Sequence, residues 1–499
     1  MSKKSVALNY IYNVSIQVFT LITPFITTPY ISRVLSSEGV GKFSFTLSIN
    51  AYFVMLTSLG FALHAQRKIA VYQGNKKKQT CILWEIILCK ALTGFAAFAV
   101  LWSLIAFGAF GQYATLMKIL SIEILATIFN IAFFFQGNEQ FGLIALRDFI
   151  FKLIGIALIF LFVKKPGDLW IYALSHSGTS LLSAFSLWFC LKKENFTVSV
   201  KQLHPMRHFL PSLKLFVPTI AISLFTMLDK TLIGVLVPGS MEVALADGTV
   251  SVVRLADVEN GYYAQAEKIT RLSMLVLASL GTVMLPRNAK ILEDGREDIF
   301  LQNIHKAMAF VFFVGAPITA GLIAIASNFS PWFFGPGYEK VPSLLQIFAF
   351  MALPAGIGNV IGQQYLLPKG EDNRYIITYV MTGLLNLCLN ILMIPGLLSY
   401  GAAIASVIAE TFAPFIMFVF LREKISFLQI LKKNWKPLVA AALMCAGVLL
   451  SSQALTPTPL HTLLLIVEGV VLYVGFALVL RCEQVPEAFA VAKNILRRG

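Results

Sequence analysis

Asp229 and Lys230, Glu267, Lys268 and Arg271, Lys118 and Glu123, Glu410, and Glu85 with Lys90 all fall inside long hydrophobic runs. An ionisable side chain at membrane depth costs about 2.5–3.5 kcal/mol on insertion scales, so each needs a partner or a wet cavity. Glu267 and Arg271 are spaced i,i+4 and can pair on one helical face. Lys230 and Lys268 have fewer obvious partners, which favours a cavity lined by cations. Such a cavity suits a cargo that is anionic and partly lipidic. Asp229, Glu123 and Glu410 are placed to bind a proton or a sodium ion, or to neutralise neighbouring cations. His176 reads as a hydrogen-bonded interior residue.

These charges interrupt a chain in which hydrophobic residues make up 57% of 499 positions and charged residues 13%. About 20 apolar residues cross a bilayer core of roughly 30 Å. Fourteen such runs are expected, at 9–32, 43–64, 82–107, 114–136, 147–163, 169–191, 209–238, 258–284, 307–328, 341–364, 375–397, 400–421, 437–453 and 460–481. With the N-terminus inside, inner loops and tails hold 25 of the 40 Lys and Arg, including 76–78 and 422–436. The outer loops hold six: Arg33, Lys42, Lys164, Lys165, Arg254 and Lys340. By the positive-inside rule both termini are cytoplasmic. The net charge of +15 is spread over loops beside apolar spans, which argues for anionic inner-leaflet lipid rather than nucleic acid as its partner. The six cysteines form no CxxC pair and imply neither a disulfide framework nor a metal site.

A repeat is legible. Gly41-Lys42-Phe43-Ser44 with Ile49, entering span two, matches Gly261-Tyr262-Tyr263-Ala264 with Ile269, entering span eight. Ser58-Leu59-Gly60 matches Ser279-Leu280-Gly281, and Leu191-Lys192-Lys193-Glu194 matches Leu421-Arg422-Glu423-Lys424. An offset of about six spans gives two parallel halves related by an axis along the membrane normal. The expected architecture is an all-α polytopic membrane protein of about fourteen transmembrane helices. Two parallel six-helix repeats, 1–194 and 195–424, surround a central cavity, and 425–499 adds two helices and a tail. Pro24 and Pro29 in span one, and Pro211 and Pro218 in span seven, predict bends. No nucleophile motif, P-loop, metal-ligand spacing or paired outer-loop acids support an enzyme.

Certain stretches resemble a known family. Asn9-Tyr10-Ile11-Tyr12-Asn13, Ile26-Thr27-Thr28-Pro29-Tyr30-Ile31-Ser32-Arg33-Val34-Leu35 and Glu38-Gly39-Val40-Gly41 look like the opening of Wzx-type polysaccharide repeat-unit flippases. Asp229-Lys230-Thr231-Leu232-Ile233-Gly234 resembles their Asp-Lys-x-x-x-Gly stretch. Gly261-Tyr262-Tyr263-Ala264-Gln265-Ala266-Glu267-Lys268-Ile269 resembles their eighth-span signature, which Pro286-Arg287 would complete.

The resemblance implies the multidrug/oligosaccharidyl-lipid/polysaccharide flippase superfamily. It also implies movement of an undecaprenyl-pyrophosphate-linked oligosaccharide between leaflets of a bacterial cytoplasmic membrane. Lys230, Lys268 and Arg271, with Lys118 and Arg33 nearer the outer mouth, would then hold the pyrophosphate. Asp229, Glu123, Glu410 and Glu267 would serve as ion-coupling groups or counter-ions. No cofactor is implied beyond a proton or sodium gradient. Polysaccharide polymerase and chain-length proteins are partners the family admits. Two other readings stand beside this one. A cation-coupled multidrug exporter would favour an acid in span one, which carries none. A membrane polymerase or ligase would carry large outer loops with Arg or His, which are absent.

Overall fold

The described residues of this computed structural model are 3–191, 200–244, 250–421 and 426–486. The repeat-closing residues 192–194 and 422–424 and the tail beyond 486 lie outside them, as do the side chains of the opening motif 9–13. Helix dominates, as expected where lipid leaves every backbone polar group to be satisfied within its own segment. The chain divides into two compact units.

The first unit comprises residues 1–234 and 242–261. Its helices are α1 (Lys3–Ser58), α2 (Phe61–Val71), α3 (Lys76–Ala106), α4 (Ala114–Leu120), α5 (Ile122–Phe129), α6 (Ala132–Gly137), α7 (Phe141–Phe162), α8 (Leu169–Ser186) and α9 (Phe209–Leu236). Two strands, β1 (Ser240–Ala244) and β2 (Val250–Arg254), pair across the expected outer loop. So short a connection makes them an antiparallel hairpin. Helix α10 (Leu255–Glu293) then leads into the second unit, residues 235–241 and 262–499. There follow α11 (Glu297–Phe334), α12 (Val341–Ala349), α13 (Ala352–Asn359), α14 (Asp372–Leu397), α15 (Ser399–Leu421), α16 (Phe427–Gln453) and α17 (Pro459–Val479).

Among the described residues, nine stretches are long and apolar enough to span a membrane. The first, Thr23–Val71, covers 49 residues. At about 1.5 Å per residue it exceeds twice the bilayer core. It is not one straight rod. Residue Ser36 leaves helical geometry (φ 59°, ψ 176°), and Leu59 and Gly60 take positive φ between α1 and α2. Helix α1 runs on through Pro24 and Pro29, and Pro211 sits in the first turn of α9, where its missing N–H would be unpaired anyway. Helix α7 stands outside the nine with Arg147, Asp148 and Lys152 in it, and α8 with its Ser, Thr and His content.

Lipid is as apolar as leucine, so helices here associate through close packing of small residues. In the second unit Ala402, Ala405, Ala409 and Ala413 are buried on α15, while Leu384, Leu392 and Phe415 are exposed on α14 and α15. In the first unit the crossing of α1 with the start of α10 is tighter still. A Cβ on Gly41 would collide with the Asp257 carbonyl, and one on Gly261 with the Ser37 carbonyl. Each contact becomes the other on adding 220 to one partner and subtracting it from the other. The glycines of the sequence repeat thus meet in a reciprocal, backbone-to-backbone crossing.

Candidate functional site

In the first unit, Asp229 on α9 is buried close to Tyr52. Thr231, two residues on, is within hydrogen-bonding distance of the Tyr52 hydroxyl (3.2 Å) and the Ser48 hydroxyl (3.0 Å). The Lys230 carbonyl accepts from Asn260 Nδ2 at 2.7 Å, fixing the backbone of α9 to the first turns of α10. Gly234 completes that motif sterically, because a Cβ there would enter the Phe45 ring. Glu123, in the first turn of α5, accepts from Asn50 Nδ2 at 2.9 Å and lies 3.0 Å from His176 Nε2. His176 is a hydrogen-bonding residue, as its sequence context suggested, although its side chain is half exposed. Lys118 is exposed on α4, and Arg33 is exposed on α1, donating to the Pro29 carbonyl at 3.2 Å.

In the second unit, α10 carries three charged residues within two turns. Arg271 Nε donates to Glu267 Oε1 at 2.6 Å, the i,i+4 pair that the spacing predicted. Glu267 is buried, whereas Arg271 retains about a third of its side-chain surface. Lys268 Nζ donates to Gln265 Oε1 at 3.1 Å. Glu410 on α15 and Tyr263 on α10 lie within electrostatic reach of Arg271, and the Tyr263 hydroxyl bonds Ser406 at 3.0 Å. The arrangement leaves a guanidinium partly open beside Glu267, with Glu410 within electrostatic reach.

Other charges are used internally. Lys90 Nζ donates to the carbonyls of Thr127 (3.2 Å) and Asn130 (2.9 Å) and lies over the Phe133 ring. It thereby satisfies the end of α5 where Asn130 turns to extended geometry. Glu85, fully buried on α3, accepts from His204 N–H, from both Arg207 Nε and Nη2, and from His208 Nε2 at 2.7 Å. Burial lowers the His208 pKa against the pull of Glu85. A neutral His208 donates from Nε2 and accepts at Nδ1 from His64 Nε2, 2.9 Å away.

A further network was not visible in the sequence. Asp257, fully buried, accepts from the Tyr113 hydroxyl at 2.7 Å and from Gln112 at 3.3 Å, while Arg254 donates to the same tyrosine at 3.0 Å. The partners are 144 residues apart, and nothing local signals the pairing.

The sequence pattern of the polysaccharide biosynthesis protein family matches residues 6–292, more than half of the chain. The chain belongs to that family. A curated protein of Escherichia coli (strain K12), provisionally named an O-antigen transporter, is 24% identical over 426 residues, covering 85% of this chain and 98% of that protein. Among solved structures, a lipid II flippase MurJ in an inward closed conformation covers 95% of the chain and 99% of its own at a TM-score of 0.71 and 17% identity. An inward-facing multidrug resistance MATE transporter of the MOP superfamily covers 82% of the chain at a TM-score of 0.58 and 14% identity. At such identities the two structures establish the fold: this family member is an all-helical, multi-pass membrane protein with a MurJ/MATE-like architecture.

Proposed function

We propose that this chain is a flippase, and not an enzyme, that carries an undecaprenyl-pyrophosphate-linked oligosaccharide from the cytoplasmic to the outer leaflet by alternating access. The observation that carries the reading is the similarity, over 85% of this chain and 98% of that protein, to the E. coli protein named for O-antigen transport. We assign the protein to a bacterial cytoplasmic membrane, with both termini inside on the strength of loop charge. The lobes are 1–194 and 195–424, with 425–499 as two accessory helices and a tail. The 220-residue reciprocity of Gly41 and Gly261 supports this repeat.

Lys268 and Arg271 on α10, Lys230 on α9, and the exposed Lys118 and Arg33 are the proposed pyrophosphate ligands. Two phosphates in a low-dielectric site need fixed positive partners, and charge-assisted bonds give both attraction and orientation. Glu267 and Glu410 hold Arg271 in place when cargo is absent. Asp229, Glu123 and Glu410 are the proposed coupling acids or counter-ions, and Glu123 lies 3.0 Å from His176 Nε2. A proton or sodium gradient supplies the drive, since one charge moved through 100 mV is worth about 2.3 kcal/mol. Polymerase and chain-length proteins would take the cargo outside.

Deleting the gene tests the function. Complete lipid-linked units accumulating on the inner leaflet support the flippase. Unpolymerised units already outside overturn it in favour of a polymerase. Drug sensitivity with normal glycan export overturns it in favour of a multidrug exporter.

A further inference from the structure

The Glu85 cluster forms one wall of a cavity of about 550 Å³ in the first unit. Lys68, Lys77, Lys78 and Arg207 line it together with His64 and His208, and among the described residues no acidic side chain lines it. Behind the wall both oxygens of Glu85 are taken by Arg207, His208 and the His204 N–H, so this acid is balanced by Arg207. The three lysines are exposed, and Lys78 is held over the Tyr72 ring at 4.7 Å. Their mutual repulsion around a concave surface is relieved by a bound anion.

A second hollow of about 220 Å³ opens on the same elements and is lined only by Leu59, Phe61, Phe209, Leu210 and Leu213. On α2, Phe61 faces this apolar hollow while His64 and Lys68, one and two turns on, face the cationic one. Along the partner segment, Leu210 and Leu213 are apolar lining, and Arg207, His208 and Pro211 belong to the polar cavity. Gly60 allows the approach: it takes φ +74°, and a Cβ there would lie 2.6 Å from the Ser212 carbonyl. A cationic hollow lined by Lys68 of α2 and Lys77 and Lys78 in the first turn of α3, with an apolar hollow lined from Leu59, Phe61 and Phe209 beside it, matches the polarity of a lipid, phosphate at one and chain at the other.

We infer that this paired cavity binds the phosphate of a membrane lipid together with the first part of its hydrocarbon chain, on the inner face of the first unit. The inference rests on the proposed orientation. The phosphate belongs either to an anionic phospholipid or to the polyprenyl pyrophosphate of the cargo, captured before translocation. Basic pockets of this kind beside membrane helices suit such headgroups.

The full chain, purified in a neutral detergent, is titrated with phosphatidylglycerol, undecaprenyl pyrophosphate, phosphatidylcholine and inorganic pyrophosphate, and binding is read by native mass spectrometry. The expected result is binding of one or both anionic lipids in preference to phosphatidylcholine, weakened at least about tenfold in Lys68→Gln/Lys77→Gln/Lys78→Gln. The control Lys290→Gln/Lys306→Gln, exposed lysines of the second unit, keeps wild-type affinity. Preference for undecaprenyl pyrophosphate identifies the cargo as the source, and equal binding of phosphatidylglycerol identifies bulk lipid. Equal affinity of wild type and triple variant overturns the inference, as does displacement of lipid by inorganic pyrophosphate at equal concentration. Binding by purified protein needs no transport, so its failure is separable from failure of the flippase reading.

Discussion

Two sets of intramembrane charges behave differently. In the first unit, Glu85 and Lys90 lie on one helix, α3, both under 3% exposed, and their described bonds reach other segments: Lys90 to two backbone carbonyls, Glu85 to the turn 204–208. In the second unit, Arg271 donates to Glu267 and Lys268 to Gln265, all on α10, Glu410 of α15 lies within electrostatic reach of Arg271, and Arg271 keeps about a third of its side-chain surface. A charge bonded to a distant segment holds the fold. A charge bonded within its own helix, and partly open, can exchange its partner for a ligand. Exposure separates the two cases: Glu85 and Lys90 are buried, whereas Arg271 stays partly open.

The comparison breaks most visibly at Glu85. Removing the fully buried Glu85 strands the donors it satisfies, His204 N–H and His208 Nε2, at about 1–3 kcal/mol each, while the half-exposed Arg207 stays solvated. Glu85→Ala should therefore collapse the amount of folded protein in the membrane, measured by fluorescence-detected size exclusion, and Lys90→Met should lose about 1–3 kcal/mol for the stranded carbonyls. Stability unchanged in both would dissolve the distinction drawn here.

The α1–α10 crossing comes next. Gly41→Leu and Gly261→Leu insert side chains into reciprocal backbone contacts, so they should impair complementation of a deletion strain to similar extents. An effect at one glycine and none at the other would contradict the repeat.

Lys268→Gln should change melting temperature little and yet abolish export, whereas Arg271→Gln, which leaves the buried Glu267 without its guanidinium, should abolish export and also lower the melting temperature. The smallest effect belongs to Asp168 in the 163–168 turn. Its Oδ2 accepts the N–H groups of Lys164 (2.9 Å) and Lys165 (3.0 Å), which hold its pKa below the ordinary carboxylate value. The stability it contributes is present above the unfolded pKa of about 3.9 and is lost as pH falls through the lower folded value. The melting-temperature gap between wild type and Asp168→Asn should accordingly be constant above about pH 5 and close below pH 4.

Much of this was legible in the sequence because it is local. Apolar run length gave helices long enough to span the membrane, and i,i+4 spacing gave Glu267–Arg271. The matching glycines pointed to Gly41 and Gly261, although not to their contact with one another's helix. The matched Ser-Leu-Gly triplets proved local in a different way: Gly60 takes a left-handed turn, whereas Gly281 lies within α10 at a close approach to Asn359. What stayed hidden depends on contacts between distant segments. Asp257 finds Tyr113 across 144 residues, Glu85 finds Arg207 across 122, and β1 pairs with β2 between the apolar runs 209–238 and 258–284.

The central proposal is that Lys268 and Arg271 of α10 hold the cargo's pyrophosphate. It is tested most directly by counting complete lipid-linked oligosaccharide on the inner leaflet of cells whose sole copy is Lys268→Gln/Arg271→Gln. The expected result is accumulation equal to that of the deletion strain, with the variant present in the membrane at wild-type amounts. Wild-type export by a variant present at those amounts would contradict the account.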